Sequence, residues 1–310
     1  MQISILLAQQ IAQLFLILIM GYAVVKAGLL KASDSRVLSV IMVYLVTPCV
    51  IINAFQIDDT PEIRKGLLYS MAIAAAIHVV LLVLSALLSR PLKLDAVEQV
   101  NVIYSNAAAL VIPLVKALMG DAYVIYSCAF IIVQLVLLWT HASSLLQGSS
   151  ALDWKKVLTN INMIAIAAGA LLYWFRVVLP APLQNTMSTV GNMMGPMGML
   201  LAGMAIAEKP LREVFCTRRN YLPTVLRLVV CPLVVLVLLW VCYASSWVAD
   251  GKNILMTVYL AAITPACATV TSMAQLYDRD AAHSSALYVL TTLLSIVSMP
   301  VMIGLFDLLL

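Results

Sequence analysis

The chain has 310 residues, 64% of them hydrophobic and 10% charged, with a formal net charge of +4 and a mean hydropathy of +1.05. These values exclude a soluble domain and point to a polytopic membrane protein, while so small a positive charge identifies no partner and gives no reason to expect nucleic acid. Six cysteines (Cys49, Cys128, Cys216, Cys231, Cys242, Cys267) lie mostly inside apolar runs, without the paired spacing of a zinc site, a disulfide framework or a haem attachment.

A bilayer is crossed by about 20 helical residues. On that ruler hydropathy predicts an all-α polytopic membrane protein with ten transmembrane helices, near 5–25, 38–56, 67–89, 99–119, 122–146, 157–178, 186–206, 222–247, 253–275 and 283–306. The first run lacks a basic leader and a small-residue cleavage site, so it reads as a retained span. Span eight is the least regular, with Pro232 inside it and Arg227 near its start, where a long side chain is expected to reach back to the membrane edge. Loops are short throughout, leaving no soluble domain.

Loops rich in Lys and Arg stay cytoplasmic. Twelve such residues fall in the odd-numbered loops, from Lys26, Lys31 and Arg36 to Arg279, whereas the even-numbered loops and nearby span ends hold Arg64, Lys65, Lys116, Arg176 and Lys252. Both termini are therefore expected on the non-cytoplasmic side of a bacterial inner (cytoplasmic) membrane. The polar stretch QGSSALDWKK (147–156) reads as a cytoplasmic linker between a first five-helix repeat (1–146) and a second, inverted one (157–310), since an odd number of spans reverses the direction of entry.

The halves correspond weakly. Span four carries SNAAALVIPLVKALMG and span nine ITPACATVTSMAQLYD, each polar, Pro-containing and closed by a short acidic turn. A proline in a helix frees backbone polar groups, and at bilayer depth such breaks persist where they are covered by protein or line a wet cavity. Pro113 and Pro265 are thus expected at crossed breaks in helices 4 and 9, with Ala107–Ala109 and Ala266–Ala268 permitting a close approach. Candidate substrate contacts are Asn101, Asn106, Lys116, Gln134, Thr264, Thr269 and Thr271, while His78, His141 and His283 read as satisfied polar groups. All fourteen carboxylates fall in loops or at span ends. That disfavours carboxylate-based cation or proton transport and suits an anion met by amides, hydroxyls and helix N-termini. Neither a metal nor a cofactor is expected.

These stretches, with VQLVLLWTHASSLL in span five, GMLLAGMAIAEKPL in span seven and the last two spans, resemble the auxin efflux carrier family, which includes plant PIN-FORMED carriers and bacterial malate or malonate permeases. The resemblance runs along nearly the whole chain. It implies two inverted five-helix repeats, a scaffold bundle beside a transport bundle, crossed broken helices 4 and 9, pairing of two copies through the scaffold, and elevator-type movement of organic anions. By position Asn106 matches the family's crossover asparagine, and Pro113 and Pro265 its crossover prolines. Auxin itself is not expected, because span three is almost wholly apolar except for His78. The expected function is secondary transport of a small mono- or dicarboxylate. A sodium-coupled symporter of related fold is the neighbouring alternative. An intramembrane hydrolase using His283 and Ser284 or Ser285 is the remote one, since adjacent side chains on a helix diverge.

Overall fold

A computed structural model describes residues 16–56, 60–148, 161–208, 211–244 and 250–310, together with 13, 159 and 248. The start of the first predicted span and linker residues 149–156 lie outside the described residues. The protein is an all-α polytopic membrane protein; among the described residues the one β-type contact is an isolated bridge between Ser105 and Ala266.

Helix α1 spans Leu16–Lys26, and α2 (Ser35–Ile41) runs through a π turn (Met42–Val46) into α3 (Thr47–Ala54). Helix α4 (Pro61–Ser89) begins with Pro61 in its first turn and the Thr60 hydroxyl accepting from the Ile63 amide, a start that caps one first-turn donor and removes another. At about 1.5 Å per residue its 29 residues are long enough to cross a bilayer. Helix α5 (Ala96–Ile103) opens on a reciprocal capping box between Asp95 and Glu98 and stops where Tyr104 turns extended. Helix α6 (Ala107–Met119) ends at Gly120, whose φ of 95° is a conformation that side chains with a Cβ rarely adopt. Helix α7 (Val124–Leu137) continues through a second π turn (Leu138–Ala142) into α8 (Ser143–Gln147).

The second half contains α9 (Ile161–Trp174), α10 (Ala181–Gly191), α11 (Met194–Glu208) and the short α12 (Leu211–Cys216). Helix α13 (Tyr221–Val225) passes through a π turn (Leu226–Val230) into α14 (Cys231–Ala244). Then come α15 (Gly251–Ile263), α16 (Ala268–Leu276) and α17 (Ala281–Leu309). Among the described residues, four continuous helical stretches are long and apolar enough to cross a membrane: 61–89, 121–147, 218–244 and 281–309. They coincide with predicted spans three, five, eight and ten. Spans four and nine are each two helices separated by a break.

Packing sorts the helices into two groups. Helices α9 and α10 pack on α3, and α11 packs on α2. Helix α4 packs on α7, α5 and α15; α17 packs on α16 and α5. Between α1 and α11 the approach is glycine-dependent: a Cβ on Gly203 would stand 2.0 Å from the Leu18 carbonyl oxygen, and one on Gly21 2.4 Å from that of Leu200. Small residues that let backbones meet are the usual means of helix association in lipid, where no hydrophobic force drives it. The two groups meet where α11 packs on α6 and α3 on α7.

Candidate functional site

The two breaks cross in the interior. Asn106 donates its backbone N–H to the Pro265 carbonyl (2.8 Å), and Cys267 donates to the Tyr104 carbonyl (3.1 Å), forming the antiparallel bridge of Ser105 with Ala266. Each break thus satisfies backbone groups freed by the other, which water would otherwise have to do. Side chains complete the accounting. Gln134 on α7 accepts from the Ser105 amide (3.1 Å) and hydroxyl (2.7 Å) and donates to the Ser105 carbonyl (2.8 Å). Thr291 on α17 accepts from the Ala266 amide (3.1 Å).

The position of the first break corrects the sequence expectation. Pro113 lies inside continuous helix α6, seven residues beyond Asn106; the chain leaves helix at Tyr104–Asn106 instead. A proline removes one backbone donor but does not itself force an extended residue, and here the crossing bonds do. Pro265, by contrast, is buried in the second break and supplies an acceptor to the crossing.

The other candidates separate into three places. Asn106 stands at the break, 6% exposed, without capping its own helix. Asn101, Thr271 and Ser284 form a chain: the Asn101 amide donates to the Val97 carbonyl (2.9 Å) and to Ser284 Oγ (3.1 Å), which lies 3.0 Å from Thr271 Oγ1. Asn101 Oδ1 is buried without a hydrogen-bond partner. Thr264 is buried and bonds back to the Ala261 carbonyl (3.0 Å), whereas Thr269 is exposed at the start of α16. Lys116 lies apart, in the last turn of α6, paired with Asp121 at 3.0 Å. It lines a cavity of about 560 Å³ between α6 and the α3, α10 and α11 helices, with Asn53, Gln56, Gln184, Asn185 and Asn192.

Arg227 does not reach the membrane edge. It is 1% exposed and donates to the Thr264 carbonyl from Nε (3.1 Å) and Nη2 (2.8 Å), to Ala262 from Nη2, and from Nη1 to Val102 (3.1 Å) and Ile103 (3.2 Å). Its only sequence signal was to be a lone cation in the apolar run LRLVVCP. His78 also departs from expectation. Its Nδ1 donates to the Ala74 carbonyl (2.7 Å) and its ring lies against Phe130, but Nε2 is buried and unpartnered. His141 Nδ1 lies 3.0 Å from the Tyr104 hydroxyl.

At the membrane edge ahead of span four, Glu98 is fully buried and held by the Arg219 guanidinium and by His283 Nε2 (3.3 Å). Burial by itself would raise its carboxyl, but the hydrogen bonds from His283, Arg219 and the Asp95 backbone, with the Arg219 charge, bring it down to about 2. Asp95, Glu98 and His283 have the spacing of metal ligands, yet both Glu98 oxygens are already taken by these donors. His283 turns to Glu98 and Ser284 to Asn101, so the pair does not assemble as a serine–histidine dyad.

Two broken membrane helices crossing in the interior, flanked by long apolar helices and an amide-lined cavity, are the architecture of a membrane carrier. The membrane transport protein family matches residues 6–152 and 149–303, so the chain belongs to that family, the auxin efflux carriers, and is a membrane transport protein. No individual curated protein matches the chain.

Proposed function

We propose that this protein is a secondary carrier for a small organic anion, a mono- or dicarboxylate, bound where the two breaks cross. The observation that carries this reading is the crossing itself: Asn106 and Cys267 exchange backbone hydrogen bonds with Pro265 and Tyr104, and α6 and α16 both begin there. Helix N-termini bear partial positive charge and free N–H groups, which suits a carboxylate. Asn106 is the first contact; Asn101, Gln134, Thr264, Thr269 and Thr271 shape or support the site, and Lys116, paired with Asp121, lines with the amides of the cavity a polar entry path.

The movement is an elevator step of spans three to five and eight to ten against spans one, two, six and seven. The separate packing of α9 and α10 on α3 and of α4 on α7 and α15 supports that division. Two inverted repeats, 1–146 and 157–310, joined by linker 147–156 on the cytoplasmic face, account for the matched breaks; the two family matches meet at 149–152. Both termini then lie outside a bacterial inner membrane, and two copies pair through the scaffold.

The test is a thermal-shift screen of purified protein against carboxylates, because a ligand that binds the folded state raises its stability, followed by uptake into proteoliposomes. Asn106→Ala should lower affinity at least tenfold; unchanged affinity and flux would remove Asn106 from the site. Uptake that continues when sodium is replaced by choline separates this carrier from a sodium symporter.

A further inference from the structure

Arg227 is a fully buried cation that the crossing did not need for substrate contact, and its surroundings show what it does. Helices α5 and α15 both run into the crossing and stop there, because Tyr104 and Thr264 are extended (ψ 124° and 156°). The last carbonyls of a helix have no donor from their own chain, and leaving them bare in a dry interior costs a few kcal/mol each. Here two such ends converge. Arg227 satisfies Val102 and Ile103 at the end of α5, and Ala262 and Thr264 at the end of α15, with one side chain. It projects from the π turn Leu226–Val230, an irregularity in an otherwise apolar helix of the kind that re-aims a functional side chain. A lysine ammonium could supply the charge but has neither the planar fork nor the five donors.

None of the described hydrogen-bond partners of Arg227 is a carboxylate; all are backbone carbonyls. A helix C-terminus carries roughly half a negative charge and an N-terminus roughly half a positive one. The guanidinium therefore cancels the two C-terminal ends that meet there, while the N-terminal ends of α6 and α16, one crossing strand away, stay uncompensated. The empty crossing is left with an excess of about one positive charge in a medium that screens it poorly.

We infer that Arg227 is the positioning and charge-setting residue of the crossing: it clasps the ends of both broken helices and gives the site the positive charge that selects an anion and repels a coupling cation. The inference rests on the carrier reading for the identity of the ligand, but not for the clasp. A bound carboxylate group neutralises the excess, so the loaded crossing is stable in the membrane interior.

The experiment pairs R227K with R227M in purified protein, read by malonate and acetate binding and by hydrogen–deuterium exchange. R227M should bind both probes more than tenfold more weakly than wild type, whereas R227K should stay within tenfold, since it keeps the charge and loses much of the hydrogen bonding. A structural role alone predicts the opposite, loss in both variants together. Exchange should rise at 102–106 and 262–267 together in R227M. A folded R227M that binds within tenfold of wild type overturns the charge role, as does a folded R227K that loses more than tenfold. If R227M does not fold, R227K still tests the charge role, since a loss of more than tenfold overturns it. Exchange that rises in only one stretch, or in neither, overturns the clasp. Wild-type protein that binds neither these probes nor any other carboxylate refutes the anion-carrier reading and the charge role with it, while the exchange result still decides the clasp.

Discussion

Replacing Gln134 by Leu keeps much of the side-chain volume and removes the polar clamp on the first break. Gln134 makes three hydrogen bonds to one residue, Ser105, and both residues are buried. The substitution strands the Ser105 amide and carbonyl, each costing about 1–3 kcal/mol when buried without a partner, so the loss should be about 4 kcal/mol. Ser105→Ala deletes only a hydroxyl and leaves the clamp's two backbone bonds intact, at about 1 kcal/mol. Hydrogen–deuterium exchange reads the difference directly, since about 1.4 kcal/mol is tenfold in an opening equilibrium. Q134L should speed exchange at 104–107 by roughly 10³ and S105A by less than tenfold. Thr291 holds the facing Ala266 amide, so T291V and Q134L act on one bridge and should not add. A folded Q134L protein with less than a tenfold change at 104–107 would refute the view that side chains outside the broken helices hold the crossing closed.

Glu98 predicts a pH dependence. Its carboxyl is held at about 2 rather than the ordinary 4.5, so the folded state favours the ionised form. That contribution, about 3 kcal/mol by the shift, is fully present above pH 4.5 and is lost as the pH falls from there towards 2. Thermal unfolding of E98Q should show little of this acid-induced decline, and an identical decline in wild type and E98Q would assign it to other groups. Gly203→Ala should cost about 3 kcal/mol by forcing α11 off α1, measured as a lowered midpoint; an unchanged midpoint would show that the close approach is not needed. Pro113→Ala restores a helical donor within α6 and should leave exchange at 104–106 unaltered, whereas a loss of protection there would return the break to Pro113.

The sequence alone determined the class. Apolar runs of membrane-spanning length can only be satisfied as helices in lipid, and spans three, five, eight and ten appear as the continuous helices hydropathy predicts. It also located the polar interruptions in spans four and nine, because asparagine and proline amid alanine have no cheap place in hydrocarbon. The point of crossing was not legible. Pro113 is the conspicuous residue of its stretch, yet whether a helix breaks at a proline or before it depends on which partner backbone arrives, and Pro265 and Cys267 come from the other half of the chain to bond Asn106 and Tyr104. The place of Arg227 was less legible still. Near a span end an arginine reads as a side chain reaching for water, and only tertiary packing decided otherwise, by bringing two helix C-termini to its guanidinium so that their carbonyls replaced the solvent it gave up.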